Sequence, residues 1–120
     1  MIAIVDDDDD VRQALSDLLL VLGLSSSTYD RAEAFLADYE PGAVACIVTD
    51  VRMPGMSGLE LLQRLRRRGD SVPVIVITSD ASPSTRQQAL EGGAHAFMTK
   101  PVDDSVLLGH LQSALESDDT

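Results

Sequence analysis

Short runs with strand character recur along this chain, and helix-period stretches separate them. The runs fall at residues 1–5, 46–49, 74–77 and 94–98, with a weaker one at 26–29. Four or five residues is strand length, and the β-branched run Val74-Ile75-Val76-Ile77 is the clearest strand in the sequence. Between the runs, Leu15, Leu18, Leu19 and Leu22, then Leu59, Leu62 and Leu65, then Leu107, Leu111 and Leu115 repeat at helical spacing. Five strands alternating with five helices imply an α/β fold, a doubly wound five-stranded parallel sheet covered on both faces. The 120 residues suffice for one domain with its own core, and no repeat, linker or second domain interrupts 1–120.

Local signals set the expected boundaries. Asp9 or Asp10 caps the first helix and Gly23 stops it. Asp30 with Glu33 three residues on resembles a capping box for a short helix to about Tyr39. Pro41-Gly42 breaks the chain, and residues 53–58 are rich in turn formers. Arg66, Arg67 and Arg68 end the third helix, complementing its dipole ahead of Gly69, rather than forming a nucleic-acid patch. Ser82-Pro83 opens a helix to Leu90 or Glu91 that is mostly polar and buries little, before Gly92-Gly93. The last helix runs from about Asp104 to Glu116, with residues 117–120 frayed.

A formal net charge of −11 argues against this chain gripping nucleic acid or an anionic membrane. The single cysteine, Cys46, lies in an apolar run and reads as a buried, inert thiol. No segment is long and apolar enough to span a membrane, and no secretory signal opens the chain, so the simplest location is the cytoplasm. His95 and His110 read as surface histidines, not ligands or phosphoacceptors.

In open parallel sheets, ligands bind at the carboxyl ends of the strands. The first strand ends in Asp6-Asp7, the third in Asp50 and the fourth in Thr78-Ser79, and Thr99-Lys100 follows the fifth. Three carboxylates, a hydroxyl and an ammonium therefore converge on one edge. Two unit charges about 4 Å apart repel by roughly 4 kcal/mol at an effective dielectric of 20, so the acids need a cation. A hard divalent ion such as Mg²⁺ suits carboxylate, carbonyl and water ligands, and no Cys or His cluster suggests zinc. A metal beside a lysine and a hydroxyl is also what a transferring phosphoryl group requires. Asp8, Asp9 and Asp10 read only as caps and solvated surface.

With these residues in place, the sequence resembles the receiver domains of two-component response regulators over essentially its whole length. The matching motifs are Ile4-Val5-Asp6-Asp7, residues 49–58 with Thr49-Asp50 at their head, Val76-Ile77-Thr78 and Lys100-Pro101. Together with Ala32-Glu33-Ala34-Phe35-Leu36 and Gly93-Ala94, the middle segment is most similar to the nitrogen-fixation transcription-regulator type, which carries a C-terminal helix-turn-helix output.

The resemblance implies a flavodoxin-like receiver fold with strand order 2-1-3-4-5. It implies that Asp50 accepts a phosphoryl group from a histidine kinase. Asp7 and Asp50 with the backbone carbonyl of Arg52 would ligate Mg²⁺, and Asp6 would act directly or through water. Thr78 and Lys100 would each hold a phosphoryl oxygen, and Phe97 would be the aromatic whose inward turn reports it. Arg52 and Asp80 would tune the acyl-phosphate lifetime, either as an ion pair over the site entrance or as two side chains in water. The family also implies a cis Lys100-Pro101 peptide bond. It implies an output face made by the helix after Pro83, the fifth strand and the last helix, with a phosphorylation-dependent homodimer. DNA would be reached only through an effector domain absent from this chain, and its ends suggest a trimmed piece of a longer regulator.

Rival readings are a stand-alone phosphoryl-shuttle receiver, a Mg²⁺-dependent phosphohydrolase, a degenerate docking receiver and a flavodoxin-like cofactor binder. A phosphohydrolase would place a second acid two residues after its nucleophile, where this chain has Arg52. Asp50, Thr78 and Lys100 are intact, against a degenerate receiver, and no glycine- or Ser/Thr-rich phosphate loop follows the first strand. The chain is thus not a conventional enzyme, although it would catalyse its own phosphorylation and dephosphorylation.

Overall fold

The computed structural model describes residues 1–80 and 82–117. Strands and helices alternate as β1 (Ile2–Val5), α1 (Asp9–Val21), β2 (Ser26–Tyr29), α2 (Ala32–Asp38), β3 (Cys46–Asp50), α3 (Gly58–Arg67), β4 (Val74–Thr78), α4 (Pro83–Glu91), β5 (Ala96–Thr99) and α5 (Asp104–Ser117). All five strands join one parallel sheet in the order β2-β1-β3-β4-β5. The chain therefore starts near the middle of the sheet, and the direction of winding reverses between β1 and β3. That switch point opens a crevice at the carboxyl ends of the two strands.

Side chains alternate across each strand, so one sheet makes two cores. Ile2, Ile4, Cys46, Val48, Ile75, Ile77, Ala96 and Met98 face α1 and α5, packing on Leu15, Leu19, Leu107, Leu111 and Ala114. Ala3, Val5, Ile47, Val74 and Val76 face the other way, against Phe35, Leu61, Leu62, Leu65 and Ala89 of α2, α3 and α4. The near-continuous apolar sequences of β1, β3 and β4 follow from burial on both faces. Edge strand β2 is the least buried, matching its polar sequence Ser-Ser-Thr-Tyr.

Several boundaries differ from expectation. Asp8, not Asp9 or Asp10, caps α1: its Oδ1 accepts from the N–H groups of Asp10 and Val11, while Asp9 and Asp10 occupy the first turn. The Asp30–Glu33 capping box does not form. Arg31 is the N-cap of α2 and supplies no side-chain acceptor, while Glu33 turns toward the β3–α3 loop. β5 begins at Ala96 rather than Ala94, because Ala94 N–H bonds back to Ala89 O to finish α4. α5 includes Ser117, so the expected fraying concerns residues 118–120, which lie outside the described residues. The expectation for α4 holds, since only Ala89 of that helix is fully buried.

Arg66 does more than complement the α3 dipole. Its guanidinium donates to the carbonyls of Asp70 and Gly93 at 2.9 Å each, tying the end of α3 to the approach to β5. Among the described residues, no helix is long and apolar enough to cross a membrane.

Candidate functional site

Strand register assembles the site. Val5 is paired with Thr49, which sets Asp6 and Asp50 side by side at the ends of β1 and β3. Asp50 is paired with Ile77, which brings in Thr78, and Thr78 is paired with Thr99, which brings in Lys100. The Lys100 N–H donates to Thr78 O at 2.8 Å, and the Lys100-Pro101 peptide is cis. Asp6 and Thr78 are fully buried and Asp50 is 6% exposed, whereas Asp7 is open to solvent.

Asp6, Asp7 and Asp50 each present a carboxylate oxygen within 4.8 Å of the other two. Lys100 Nζ lies 3.0 Å from Asp6 Oδ2 and 3.2 Å from Asp50 Oδ2. Burial pushes the Asp50 carboxyl above the usual carboxylate range, and the neighbouring Asp6 charge adds to this. The Lys100 ammonium and the Arg52 backbone pull it down without cancelling the rise. Burial alone would lower the Lys100 pKa, but the close contact with Asp6 and the two carboxylate charges outweigh it, and the pKa is raised. The ammonium is thus held charged between two acids.

Two loops close over this cluster. In the β3–α3 loop, Gly58 N–H donates to Val51 O at 3.0 Å, and the backbone passes so near Asp50 that a Cβ at Gly58 would overlap the Asp50 carbonyl oxygen. In the β4–α4 loop, Asp80 N–H donates to Thr78 Oγ1 at 3.0 Å. The Asp80 carboxylate accepts from Ser82 N–H, Thr85 Oγ1 and Arg52 Nη2, the last at 2.8 Å. Those donors, the Ser82 N–H foremost, hold the Asp80 pKa down at about 2. Arg52 and Asp80 therefore span the two loops as an ion pair, although Arg52 remains largely exposed.

Phe97 is not part of the cluster. It sits half-buried on β5, paired with Val76, and lines a surface cleft with Arg86, Pro101, Asp103 and Val106. His95 hydrogen-bonds Ser113 on α5 and is remote from the acids in register. Sequence reasoning missed three contributors. One is the backbone of Asp8, a residue expected only as a cap or solvated acid, whose N–H donates to Asp6 Oδ1 at 2.9 Å. Arg12 is another, donating to the Asp6 carbonyl at 2.6 Å and paired with Asp9. The third is Gly58, for which a glycine at the first position of a helix was the available signal.

The donor set fits a hard divalent cation. Asp6 Oδ2 is buried and accepts no well-formed hydrogen bond, having only the Lys100 ammonium at ion-pair distance. One ammonium against three clustered carboxylates leaves the pocket net negative, a state that a further cation would relieve. Three oxygen donors, with no histidine or cysteine among them, suit Mg²⁺ or Ca²⁺ chemistry rather than zinc.

A flavodoxin-like α/β sheet of order 2-1-3-4-5 with an acid cluster and a lysine at its carboxyl edge places the chain among receiver-type folds. Residues 2–112 match the response regulator receiver domain, and the chain belongs to that family. It is 43% identical over 112 residues to the transcriptional regulatory protein FixJ of Azorhizobium caulinodans, covering 93% of this chain and 53% of the relative. It is 39% identical over 116 residues to the response regulator protein TodT of Pseudomonas putida, covering 97% and 51%. The crystal structure of FixJ-N superposes with a TM-score of 0.85 at 38% identity, covering 96% of this chain and 92% of that one. The chain spans about half the length of the curated relatives it matches.

Proposed function

We propose that this chain is a single receiver domain, 1–120, that accepts a phosphoryl group on Asp50 from a histidine kinase and switches its α4–β5–α5 face in response. The observation that carries this reading is Lys100 Nζ at 3.2 Å from Asp50 Oδ2, beside Asp6 and Asp7 on one sheet edge.

An Asp50 carboxylate oxygen attacks the phosphorus of a phosphohistidine. The new O–P bond forms as the P–N bond breaks, and the electron pair leaves with the imidazole, which takes up a proton. Asp6, Asp7, Asp50 and the Arg52 carbonyl would hold Mg²⁺, which when bound neutralises charge on the phosphoryl oxygens. Lys100 pairs with one phosphoryl oxygen. The Thr78 hydroxyl donates to another, stretching or releasing its contact with Asp80 N–H. Arg52 and Asp80, paired across the mouth, slow the approach of hydrolytic water and so tune the acyl-phosphate lifetime.

Thr78 and Phe97 carry the change to the output face. Relatives named as transcription regulators, twice as long as the stretch they share with this chain, support an attached effector that regulates transcription and alone touches DNA. The stand-alone shuttle shares the chemistry and lacks that effector. The acidic surface and the absence of a membrane-crossing helix among the described residues support a cytoplasmic setting without membrane contact.

Incubation with acetyl phosphate and Mg²⁺, followed by mass spectrometry, tests the chemistry. One hydroxylamine-labile phosphoryl group on Asp50, lost in Asp50→Asn, is expected. Modification of a histidine or serine instead refutes the mechanism.

A further inference from the structure

The segment Ala32-Glu33-Ala34-Phe35-Leu36 holds a carboxylate that the phosphoacceptor chemistry leaves unused. Phe35 is in the core, but Glu33 is on the surface in the first turn of α2. It does not cap its own helix. Its Oε2 reaches across to the β3–α3 loop and accepts from Met56 N–H at 3.2 Å, a contact between residues 23 apart in sequence. The loop is shaped to receive it. Gly55 has φ +78°, a left-handed conformation open to glycine, and a Cβ there would overlap the Glu33 carboxylate.

The same loop supplies the Arg52 carbonyl and the Arg52 N–H that faces Asp50. Its base is tied down by Gly58 N–H to Val51 O. Its crown is tied by Glu33, and Arg52 lies in the arc between these anchors.

We infer that Glu33 is a positioning residue for the phosphoacceptor site: it latches the crown of the β3–α3 loop and so pre-organises the Arg52 carbonyl toward the metal. The inference rests on the proposed receiver chemistry. Without the latch the loop must be ordered when the cation binds, and the cost appears as weaker binding. The acceptor oxygen, not the net charge, makes the contact with Met56 N–H, so a carboxamide at this position should replace it.

Two measurements on the intact chain test this. The first is amide hydrogen exchange at Met56 in metal-free protein, which does not depend on the metal reading. Exchange should be at least several-fold faster in Glu33→Ala than in wild type and near wild type in Glu33→Gln. The second is the Mg²⁺ dissociation constant by calorimetry. It should rise about 3- to 10-fold in Glu33→Ala, as expected for losing one hydrogen bond to a partly exposed carboxylate. It should stay within about twofold of wild type in Glu33→Gln, a retention that a purely electrostatic role would not give.

In a double-mutant cycle, Gly55→Ala should weaken Mg²⁺ binding less in the Glu33→Ala background than in wild type, since the overlap is then gone. Equal Met56 exchange in wild type and Glu33→Ala overturns the latch. Faster exchange with an unchanged dissociation constant, or equal weakening in Glu33→Ala and Glu33→Gln, overturns its positioning role. Failure of wild type itself to bind Mg²⁺ would instead strike the metal site on which the inference rests.

Discussion

Lys100 Nζ stands 3.0 Å from Asp6 Oδ2, so a buried carboxylate at the end of β1 is balanced by a cation brought from the far end of the chain. The same ammonium serves Asp50 at 3.2 Å, making one lysine the counterion for two acids.

Lys100→Met should therefore destabilise the metal-free protein by up to about 3 kcal/mol, the low end for breaking a buried ion pair, because Lys100 keeps a fifth of its side chain exposed. Mg²⁺ should raise the melting temperature of wild type and raise it further in Lys100→Met, where the acids lack any other cation. The gain should shrink in Asp7→Asn and Asp50→Asn. Thermal melts with EDTA or Mg²⁺ check this; an equal gain in all four proteins would remove the case for a cation among these carboxylates.

Gly58 and Gly109 should respond oppositely to alanine. A Cβ at Gly58 overlaps the Asp50 carbonyl oxygen and presses on Thr49 Oγ1 at 3.1 Å, and neither belongs to a flexible side chain. Gly58→Ala should cost about 1–3 kcal/mol by overpacking and slow phosphorylation by displacing Asp50. At Gly109, in α5, a Cβ meets nothing within 4 Å. Gly109→Ala should stabilise by up to about 1 kcal/mol through helix propensity. Urea titrations of both variants provide the comparison.

Much of this was legible because the sequence carries two independent patterns. Strand runs such as Val74-Ile75-Val76-Ile77 declare the parallel sheet, and the residues directly after them locate the carboxyl edge. What was illegible depends on distant contacts. Glu33 satisfies a local capping rule in sequence, yet the structure spends it on Met56. Asp8 looked interchangeable with Asp9 and Asp10, and only the turn set by the Asp6 carboxylate selects it as the cap. Whether Arg52 and Asp80 meet was open in sequence, because their separation depends on how two loops fold toward each other.

Tyr39 predicts the alkaline behaviour. Its ring stacks on Phe35 with centroids 4.9 Å apart, and its hydroxyl donates to Asp70 Oδ2. Burial, then the Asp70 hydrogen bond and charge, raise its pKa well above the ordinary value. A raised folded-state pKa means the contribution is fully present below the unfolded value of about 10 and is lost as pH rises through the folded one. Phenolate absorbance at Tyr39 should therefore appear only above the range of free tyrosine, with stability falling across that window. Tyr39→Phe keeps the stacking, should cost about 1 kcal/mol at neutral pH, and should lessen the alkaline loss, leaving the part due to Tyr29, whose hydrogen bond to Asp38 also raises its pKa. Ionisation of Tyr39 in the folded protein at the free-tyrosine pKa would contradict the pairing.

Thr78 is fully buried, and its Oγ1 accepts from Asp80 N–H, so a Thr78 whose oxygen moves toward a phosphoryl group should stretch or release that bond. Asp80 in turn holds Ser82 and Thr85 at the start of α4, which makes the loosening of one hydrogen bond a perturbation of the helix's first turn. α4 resists weakly, because Ala89 is its only fully buried residue and Leu90 is 42% exposed. Phe97, half-buried on the adjacent strand and packed at the margin of the same core, can turn into the space that opens. α5 should stay in place, anchored by Leu107, Leu111 and Ala114, so the surface changes modestly and a weak symmetric dimer is the expected product. A beryllofluoride-treated domain should dimerise through α4, β5 and α5 while untreated protein stays mainly monomeric. Phe97→Ala should still bind beryllofluoride but lose the dimer. Light scattering on both proteins decides the matter: a treated wild type that remains monomeric would mean that the switch acts through an attached domain rather than through self-association.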